Sequence, residues 1–199
     1  VDKCSDEGKR IFAIVATLGT TIRGAIDPIE NIGRFCKKSN IWLHIDGSIG
    51  GIFAITKLSI NGITNVNLAN SITINPQKIL GIAKTSSLLI VSNIEILKNT
   101  FSTGLPYVSN ETNLFNRGEL GIQGSRPAEI IKLWLGLRFL GMRGIEDILN
   151  SSIERRIFFE NNLDTEKYDL YSGPLHIISF LPKGMNKNES DSWTLNKRK

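Results

Sequence analysis

Two apolar runs separated by a helix-like segment constrain the fold more than any other feature of this sequence. Residues 11–17 (IFAIVAT) are apolar or β-branched almost without interruption, which is typical of a strand covered on both faces. The segment DPIENIGRFCKKSN predicts a helix, with Asp27 as its cap, Pro28 at its first position and Glu30 at the capping-box spacing. Residues 41–45 predict a second strand. A strand, helix and strand in this order predict a right-handed crossover in a parallel, layered α/β sheet.

Further elements follow along the chain. Two more strands are expected, and the second of them is expected to be antiparallel or near the sheet edge because no helix lies between them. The segment 99–124 predicts a long loop that serves as a lid or binding segment. Two helices and two strands of a small separate domain come next, joined by a turn at residues 172–174. The predicted ranges are 71–74 and 86–92 for the strands, 126–140 and 145–162 for the helices, and 169–171 and 176–181 for the small-domain strands.

Composition excludes several functional classes. The 199 residues are 41% hydrophobic and 22% charged, and no apolar run approaches the roughly 20 residues of a membrane span. The first ten residues lack the apolar core of a secretory signal, so we expect a cytoplasmic protein with no membrane partner. The net charge of +5 comes from scattered basic residues, which predicts a solvated surface and no nucleic-acid partner. Cys4 and Cys36 predict two free thiols, without a disulfide or a metal site.

Charged side chains follow two of the predicted strands. Asp46 comes directly after the second strand and precedes Gly47, Ser48 and two further glycines, so a flat ligand could approach the backbone there. Alone, this aspartate would as readily cap a turn. Lys78 lies in NPQK, just after the strand 71–74. A lysine and an aspartate at the same carboxyl edge of a sheet favour an amine nucleophile and an anion that tunes an electron sink.

Four segments carry a resemblance to a known family. They are VATLGTTIRGAIDPI, IWLHIDGSIGG, NSITINPQKILGIAKTSSLLIVS and GSRPAEIIKLWLGLRFLGMRGIE. In order and spacing they resemble the pyridoxal-phosphate-dependent group II decarboxylases, the family of glutamate, aromatic-amino-acid and related decarboxylases. The resemblance extends from about residue 12 to about residue 181.

The resemblance implies an α/β fold: part of the large domain of an aspartate-aminotransferase-like (type I) fold with a mainly parallel sheet, plus an incomplete α+β small domain. It divides the chain into residues 1–125, the C-terminal part of the cofactor-binding large domain, residues 126–162, the connecting helices, and residues 163–199, the incomplete small domain. We therefore expect the chain to correspond to the middle of such an enzyme.

The resemblance also implies roles for individual residues. Lys78 would bind the aldehyde of pyridoxal 5'-phosphate covalently, and Asp46 would keep the pyridine nitrogen protonated. Thr21 matches a threonine near the cofactor ring. Ser48 matches a small residue under the ring that is usually alanine, so its hydroxyl is a departure from the family pattern.

Four more positions match polar residues of the family. Asn75 corresponds to a residue near the cofactor phosphate, and Gln77 stands where the family usually has histidine directly before the lysine. His44 corresponds to a histidine before the strand-end aspartate, and a structural hydrogen-bonding role is favoured for it over catalysis. Arg126 matches an arginine at the start of the long helix, which would serve an anionic group or cap the helix.

The resemblance predicts a carboxy-lyase that decarboxylates a small-molecule amino acid, works as a homodimer when complete, and uses pyridoxal 5'-phosphate without a metal. Two alternatives stay open. Residues 108–124 contain no tyrosine, although the family commonly uses one to reprotonate the substrate, so oxidative deamination to an aldehyde is a second possible reaction. The third possibility is a non-catalytic remnant that binds no cofactor.

Overall fold

The computed structural model describes residues 2–84, 86–103, 117–125 and 127–197. Within these ranges the chain forms five helices and six strands. The helices are α1 (Asp2–Asp6), α2 (Ile29–Ser39), α3 (Ile94–Phe101), α4 (Glu129–Asn162) and α5 (Lys187–Asn196); the strands are β1 (Ala13–Thr17), β2 (Trp42–Gly47), β3 (Ser71–Ile74), β4 (Leu88–Val91), β5 (Tyr168–Ser172) and β6 (Ile178–Pro182).

The main sheet has the strand order β1-β2-β3-β4. β1, β2 and β3 are parallel, and their register places Thr17 opposite Asp46 and Asp46 opposite Thr73. β4 runs antiparallel to β3, as the missing crossover helix predicted. The three parallel strands therefore bring their carboxyl ends to one edge of the sheet, where the candidate residues lie.

The start of α2 differs from the predicted cap. The helix begins at Ile29, after Pro28, and has no side-chain cap. The Asp27 carboxylate instead accepts a hydrogen bond of 2.7 Å from the backbone N–H of Thr17, while the Asp27 N–H donates to the Thr17 carbonyl at 2.9 Å. The prediction that Asp27 caps the helix is therefore wrong, because its side chain bonds the backbone at the end of β1 instead.

Within the described ranges, one face of the sheet is covered and the other is open. α2 packs under β1 and β2, and α4 packs near β3 through a second group of buried side chains. The opposite face presents Val15, which is 63% exposed, beside His44. The prediction that the first strand is covered on both faces is therefore wrong for the described residues. The buried residues of the group with α2 are Ala16, Leu18, Ile29, Cys36, Ile41, Leu43 and Ile45. The buried residues of the group with α4 are Ile49, Ile52, Phe53, Ile74, Leu80, Ile82, Leu133, Ile145, Leu149 and Leu175.

The two helices predicted at 126–140 and 145–162 are observed as the two halves of α4, which meet at a kink. The kink lies at Gly141, whose φ of 60° and ψ of 176° are outside helical values. A glycine allows this conformation at little steric cost, so the break falls between the two predicted helices. α3 extends into the segment predicted as a loop, and residues 104–116 of that loop lie outside the described residues.

The small hairpin of β5 and β6 is antiparallel, and it packs against the loop 19–24 that follows β1. Leu175, between its strands, is fully buried in the core that also contains Phe53. The Ser179 hydroxyl donates to the Ile22 carbonyl at 2.5 Å. α5 follows and was not predicted; it begins with a capping box in which Asn186 and Glu189 bond each other's backbone N–H.

Both cysteines are free thiols, as predicted. Cys36 is buried under the sheet, and this burial raises the pKa of its thiol. None of the described helices combines the length and the apolarity that crossing a membrane requires.

The turn after β2 is closed by backbone contacts that leave no room for a side chain at Gly50 or Gly51. The Gly50 N–H donates to the Leu18 carbonyl at 2.8 Å, and the Gly51 N–H donates to the Gly47 carbonyl at 2.7 Å. A Cβ at Gly50 would lie 2.4 Å from the Leu18 oxygen, and one at Gly51 would lie 2.6 Å from the Gly47 oxygen. The room that the sequence suggested for a ligand at these glycines is filled by the protein's own backbone.

We therefore predict that Gly50→Ala destabilises the fold because backbone must move to admit the methyl group. The expected loss is about 2 kcal/mol, the middle of the range for overpacked sites. Gly124→Ala is the matched control, since a Cβ at Gly124 meets no atom within 4 Å. Chemical unfolding followed by circular dichroism measures both, and equal midpoints for the two variants would contradict the proposed close contact.

Candidate active site

Asp46 lies at the carboxyl end of β2, opposite the last residue of β1. Its backbone carbonyl accepts from the Leu18 N–H at 2.9 Å, which continues the pairing of the two strands. Its side-chain oxygen Oδ1 accepts from the Ser48 N–H at 3.1 Å. The carboxylate is half-buried, so it is held at the sheet edge while part of it stays accessible.

Lys78 follows β3 after a short turn in which its N–H donates to the Asn75 carbonyl at 3.1 Å. Its side chain is exposed, and Nζ donates to the Ser48 hydroxyl at 3.1 Å. Ser48 therefore contacts both candidate residues, Asp46 through its backbone and Lys78 through its side chain. The structure brings these three predicted site residues together.

His44 lies two residues before Asp46 on the same strand, and hence on the same face of the sheet. Its Nδ1 is 2.8 Å from the Ser71 hydroxyl and its Nε2 is 3.2 Å from the Thr73 hydroxyl. The Trp42 indole N–H also donates to Ser71, at 3.0 Å. Both ring nitrogens of His44 are thus occupied by β3, which agrees with the structural role favoured by the sequence.

Asn75 and Gln77 lie on either side of Pro76, which is fully buried. Asn75 Oδ1 is buried and has no hydrogen-bond partner among the described residues. Gln77 Oε1 accepts from the Ser86 N–H at 2.5 Å, so this amide holds the Lys78 turn against the segment leading into β4. An orphaned buried oxygen beside the turn marks a place where a further polar group would fit.

Thr21 is exposed in the loop after β1 and lines a separate cleft together with Arg23 and Trp193. No described contact joins it to Asp46, Ser48 or Lys78. Arg126 and half of the predicted lid, residues 104–116, lie outside the described residues.

A cleft of about 510 Å³ opens beside Lys78. One wall is the last third of α4 and another is the approach to β6. Its lining residues are Lys78, Ile79, Ser152, Arg155, Arg156, Phe159, His176 and Ile178. Sequence reasoning missed this cleft, because Arg156 and His176 come from elements far from Lys78 in the chain and no motif or spacing connects them.

Arg156 is a largely buried cation of the cleft. The side chain of Arg156 is only 11% exposed, and its Nη1 lies 2.6 Å from both oxygens of Glu160. Burial opposes the ionisation of Glu160, but hydrogen bonds from Ser172 and Arg156 and the charge of Arg156 lower its pKa below the usual value. The pair therefore holds the end of α4 beside the β5 strand.

His176 stacks on Phe53, with ring centroids 5.9 Å apart and planes 20° apart. Its Nδ1 is buried without a partner among the described residues. Burial lowers the pKa of His176, which favours the neutral form of the ring.

No three histidine, cysteine, aspartate or glutamate side chains cluster as metal ligands in the part of the chain that the structure describes. The chemically distinctive groups of the site are instead the amine and the carboxylate at the two strand ends.

Comparison with known proteins places the chain in a family. Residues 1–171 match the model of the pyridoxal-dependent decarboxylase conserved domain. The acidic amino acid decarboxylase GADL1 of Bos taurus is 30% identical over 159 residues, which are 77% of this chain and 30% of that protein. The human protein of the same name is 31% identical over 153 residues, 74% of this chain and 29% of that protein. The chain spans less than a third of the length of these curated relatives.

Solved structures agree on the fold. Oryza sativa TDC with PLP and tryptamine matches with a TM-score of 0.88 at 19% identity, over 99% of this chain and 43% of that one. Mouse CSAD matches with a TM-score of 0.82 at 22% identity, over 100% of this chain and 44% of that one. These neighbours confirm the type I fold class with its mainly parallel sheet that the sequence predicted. On the family model and the fold together, the chain belongs to the pyridoxal-dependent decarboxylases.

Proposed function

We propose that this chain is part of an enzyme that decarboxylates an amino acid with pyridoxal 5'-phosphate. One observation carries the proposal: the Lys78 amine and the Asp46 carboxylate lie at neighbouring strand ends, and both contact Ser48. The curated relatives are named as acidic amino acid decarboxylases, which supports the same type of reaction.

The residues at the sheet edge fit this cofactor. An amine is needed to bind its aldehyde, and Lys78 presents an exposed amine; a carboxylate is needed to pair with its ring nitrogen, and Asp46 presents a half-buried one. The orphaned Oδ1 of Asn75 shows that this amide has capacity for another polar partner, and rotation of the amide would offer its N–H₂ to a phosphate. When bound, the cofactor supplies an electron sink for the bond that breaks at the substrate α-carbon.

The chain's own residues would then divide the work. Lys78 would hold the cofactor through its side-chain amine, and Asp46 would pair with the ring nitrogen and favour its protonated form. Ser48 accepts a hydrogen bond from the Lys78 amine and donates its backbone N–H to the Asp46 carboxylate, so it links the two side chains. Gln77 anchors the Lys78 turn, and His44 braces β2 against β3. Thr21 stays a predicted cofactor contact that rests on the resemblance.

We also propose the division of the chain into residues 1–125, 126–162 and 163–199 that the resemblance implied. A cytoplasmic location likewise stays a prediction from the sequence. Neither proposal affects the assignment of the site residues.

We propose a homodimer because the first half of α4 carries an apolar face that no described residue covers. Phe139 is 90% exposed and Trp134 is 59% exposed, with the Arg138 guanidinium 5.9 Å from the centre of the Trp134 ring. The complete face is Ile130, Ile131, Trp134, Leu135, Phe139 and Met142. Exposed apolar side chains at these positions favour burial against a second copy of the chain.

Production of an aldehyde is the second candidate. A specific observation favours it: residues 108–124 contain no tyrosine that could return a proton to the substrate. One structural neighbour, with a TM-score of 0.82, is named as a 4-hydroxyphenylacetaldehyde synthase of Rhodiola rosea, at 20% identity.

The first prediction concerns covalent capture. The purified chain, incubated with pyridoxal 5'-phosphate and then reduced with borohydride, should carry one phosphopyridoxyl group on Lys78, because reduction converts the reversible linkage into a stable secondary amine. Lys78→Ala should remove this adduct. Peptide mass spectrometry locates it.

Lys84→Ala is the matched control, since Lys84 is exposed and does not line the cleft. It should keep the adduct on Lys78. Labelling spread evenly over surface lysines would favour the remnant that binds no cofactor specifically.

The second prediction concerns turnover by the complete protein. Asp46→Asn should keep covalent capture but lower the decarboxylation rate by about a hundredfold, because a neutral amide no longer favours the protonated ring. Carbon dioxide, amine and aldehyde are measured together. Amine as the main product supports decarboxylation, aldehyde supports the second candidate, and normal turnover by Asp46→Asn would disprove the role of Asp46.

The third prediction concerns association. Phe139→Ser should weaken self-association about tenfold or more, because burying a phenylalanine contributes about 1.5–3 kcal/mol. Phe158→Ser, on the second half of α4 and 70% exposed in the native chain, should leave it unchanged. Analytical ultracentrifugation measures both. A native chain that stays monomeric at high concentration would rule out this interface.

A further inference from the structure

We propose that the cleft between Lys78 and the end of α4 binds the side-chain carboxylate of an acidic amino-acid substrate, and that Arg155 and His176 recognise it. The inference rests on the proposed function, because it places this carboxylate beside the lysine that handles the substrate amine. It assigns a binding role to residues that carry no role in the family resemblance.

The charges around the cleft favour an anion. Three cationic side chains line it, those of Lys78, Arg155 and Arg156, and no acidic side chain does so among the described residues. Arg156 is neutralised by Glu160. Arg155 is exposed and forms no hydrogen bond or ion pair within the described ranges, so its guanidinium is available to a ligand. Guanidinium and carboxylate form strong, charge-assisted hydrogen bonds.

His176 supplies a neutral donor to the same cleft. Its Nδ1 is buried without a partner, and a buried N–H without an acceptor is rarer than a bare acceptor. We therefore assign the ring proton to Nε2. The stacking on Phe53 fixes the plane of the ring, so this N–H has a defined direction.

The remaining lining suits the carbon chain of such a substrate. Ile79, Phe159 and Ile178 contribute apolar surface between the polar groups. The volume of about 510 Å³ lies within the range of small-ligand sites. A short methylene chain that ends in a carboxylate therefore matches both the apolar and the cationic parts of the lining.

The reaction indicates which of the two substrate carboxylates, the α-carboxylate or the side-chain carboxylate, binds in this cleft. The α-carboxylate leaves as neutral carbon dioxide, so a cation paired with it would stabilise the starting state more than the transition state. The side-chain carboxylate keeps its charge throughout. A cationic site that holds it strengthens binding without opposing the bond cleavage.

The cofactor phosphate shares the anionic chemistry of a carboxylate, so the test must separate the two. The chain contains two histidines, His44 and His176, whose Hε1 ring protons give one proton NMR signal each. We propose to titrate the purified chain with glutarate, with the neutral glutaramide, and with inorganic phosphate. His176→Asn assigns the signals, and His44 serves as the internal control because both of its ring nitrogens are held by Ser71 and Thr73.

Glutarate should shift the His176 signal in a saturable way and leave His44 unchanged, while glutaramide should shift neither. Arg155→Gln should raise the dissociation constant about three- to tenfold at low salt, since an exposed cation is partly screened. Arg10→Gln removes the same charge from an exposed site outside the cleft and should change nothing.

Equal effects of Arg155→Gln and Arg10→Gln, or a His176 signal that glutarate does not move, would overturn the inference. Saturation by inorganic phosphate in preference to glutarate would also overturn it and identify a phosphate site. Covalent labelling of Lys78 is measured separately, so a chain that captures the cofactor but does not bind glutarate refutes this inference alone.

Discussion

The hydrogen bond from the Gly50 N–H to the Leu18 carbonyl fixes the geometry on which the site depends. At 2.8 Å it joins the exits of β1 and β2 directly, without a side chain between them. Asp46 and Ser48 lie within the segment that this contact holds. The carboxylate and the serine hydroxyl therefore owe their positions to backbone packing, and a glycine is required where a Cβ would meet the Leu18 oxygen.

The open face of the sheet is organised by hydroxyl groups. Ser71 and Thr73 of β3 bond the ring of His44, and Ser71 also accepts from Trp42. These contacts cross from β2 to β3 on the same face as Asp46, so they add side-chain bonds to the parallel pairing of the backbone. A polar, hydrogen-bonded surface can stay exposed at a lower cost than an apolar one. The face thus keeps a fixed shape next to the strand ends.

The sequence predicted an element well where neighbouring residues alone determine its bounds. The strand 71–74 was placed at its observed bounds because Asn75-Pro76 ends it sharply. The Asp27 cap was wrong because the carboxylate found a backbone partner on β1, ten residues earlier. α5 was missed because its sequence is polar and shows little helical periodicity.

The candidate site was predicted only in part, for the same reason. Asp46 and Lys78 each follow a recognisable strand, so parallel pairing alone brings them to one edge. The cleft beside them depends on contacts between elements about eighty to a hundred residues apart, such as Arg156 and His176 around Lys78. The glycines after Asp46 were read as space for a ligand, although they admit the backbone of Leu18. No single segment contains that information.

The burial of Leu175 determines how the cleft can move. A Cβ at Gly19 would lie only 2.6 Å from the Leu175 Cδ1. The Leu175 side chain therefore packs the hairpin of β5 and β6 tightly against the loop after β1. A hairpin attached to the rest of the chain only through α4 could rotate as a rigid unit. Here, rotation would first expose the buried Leu175 side chain, at a cost of about 2 kcal/mol. Such a cost limits the rotated form to roughly a few per cent of molecules. The packing of Leu175 therefore opposes any widening of the cleft by movement of the hairpin.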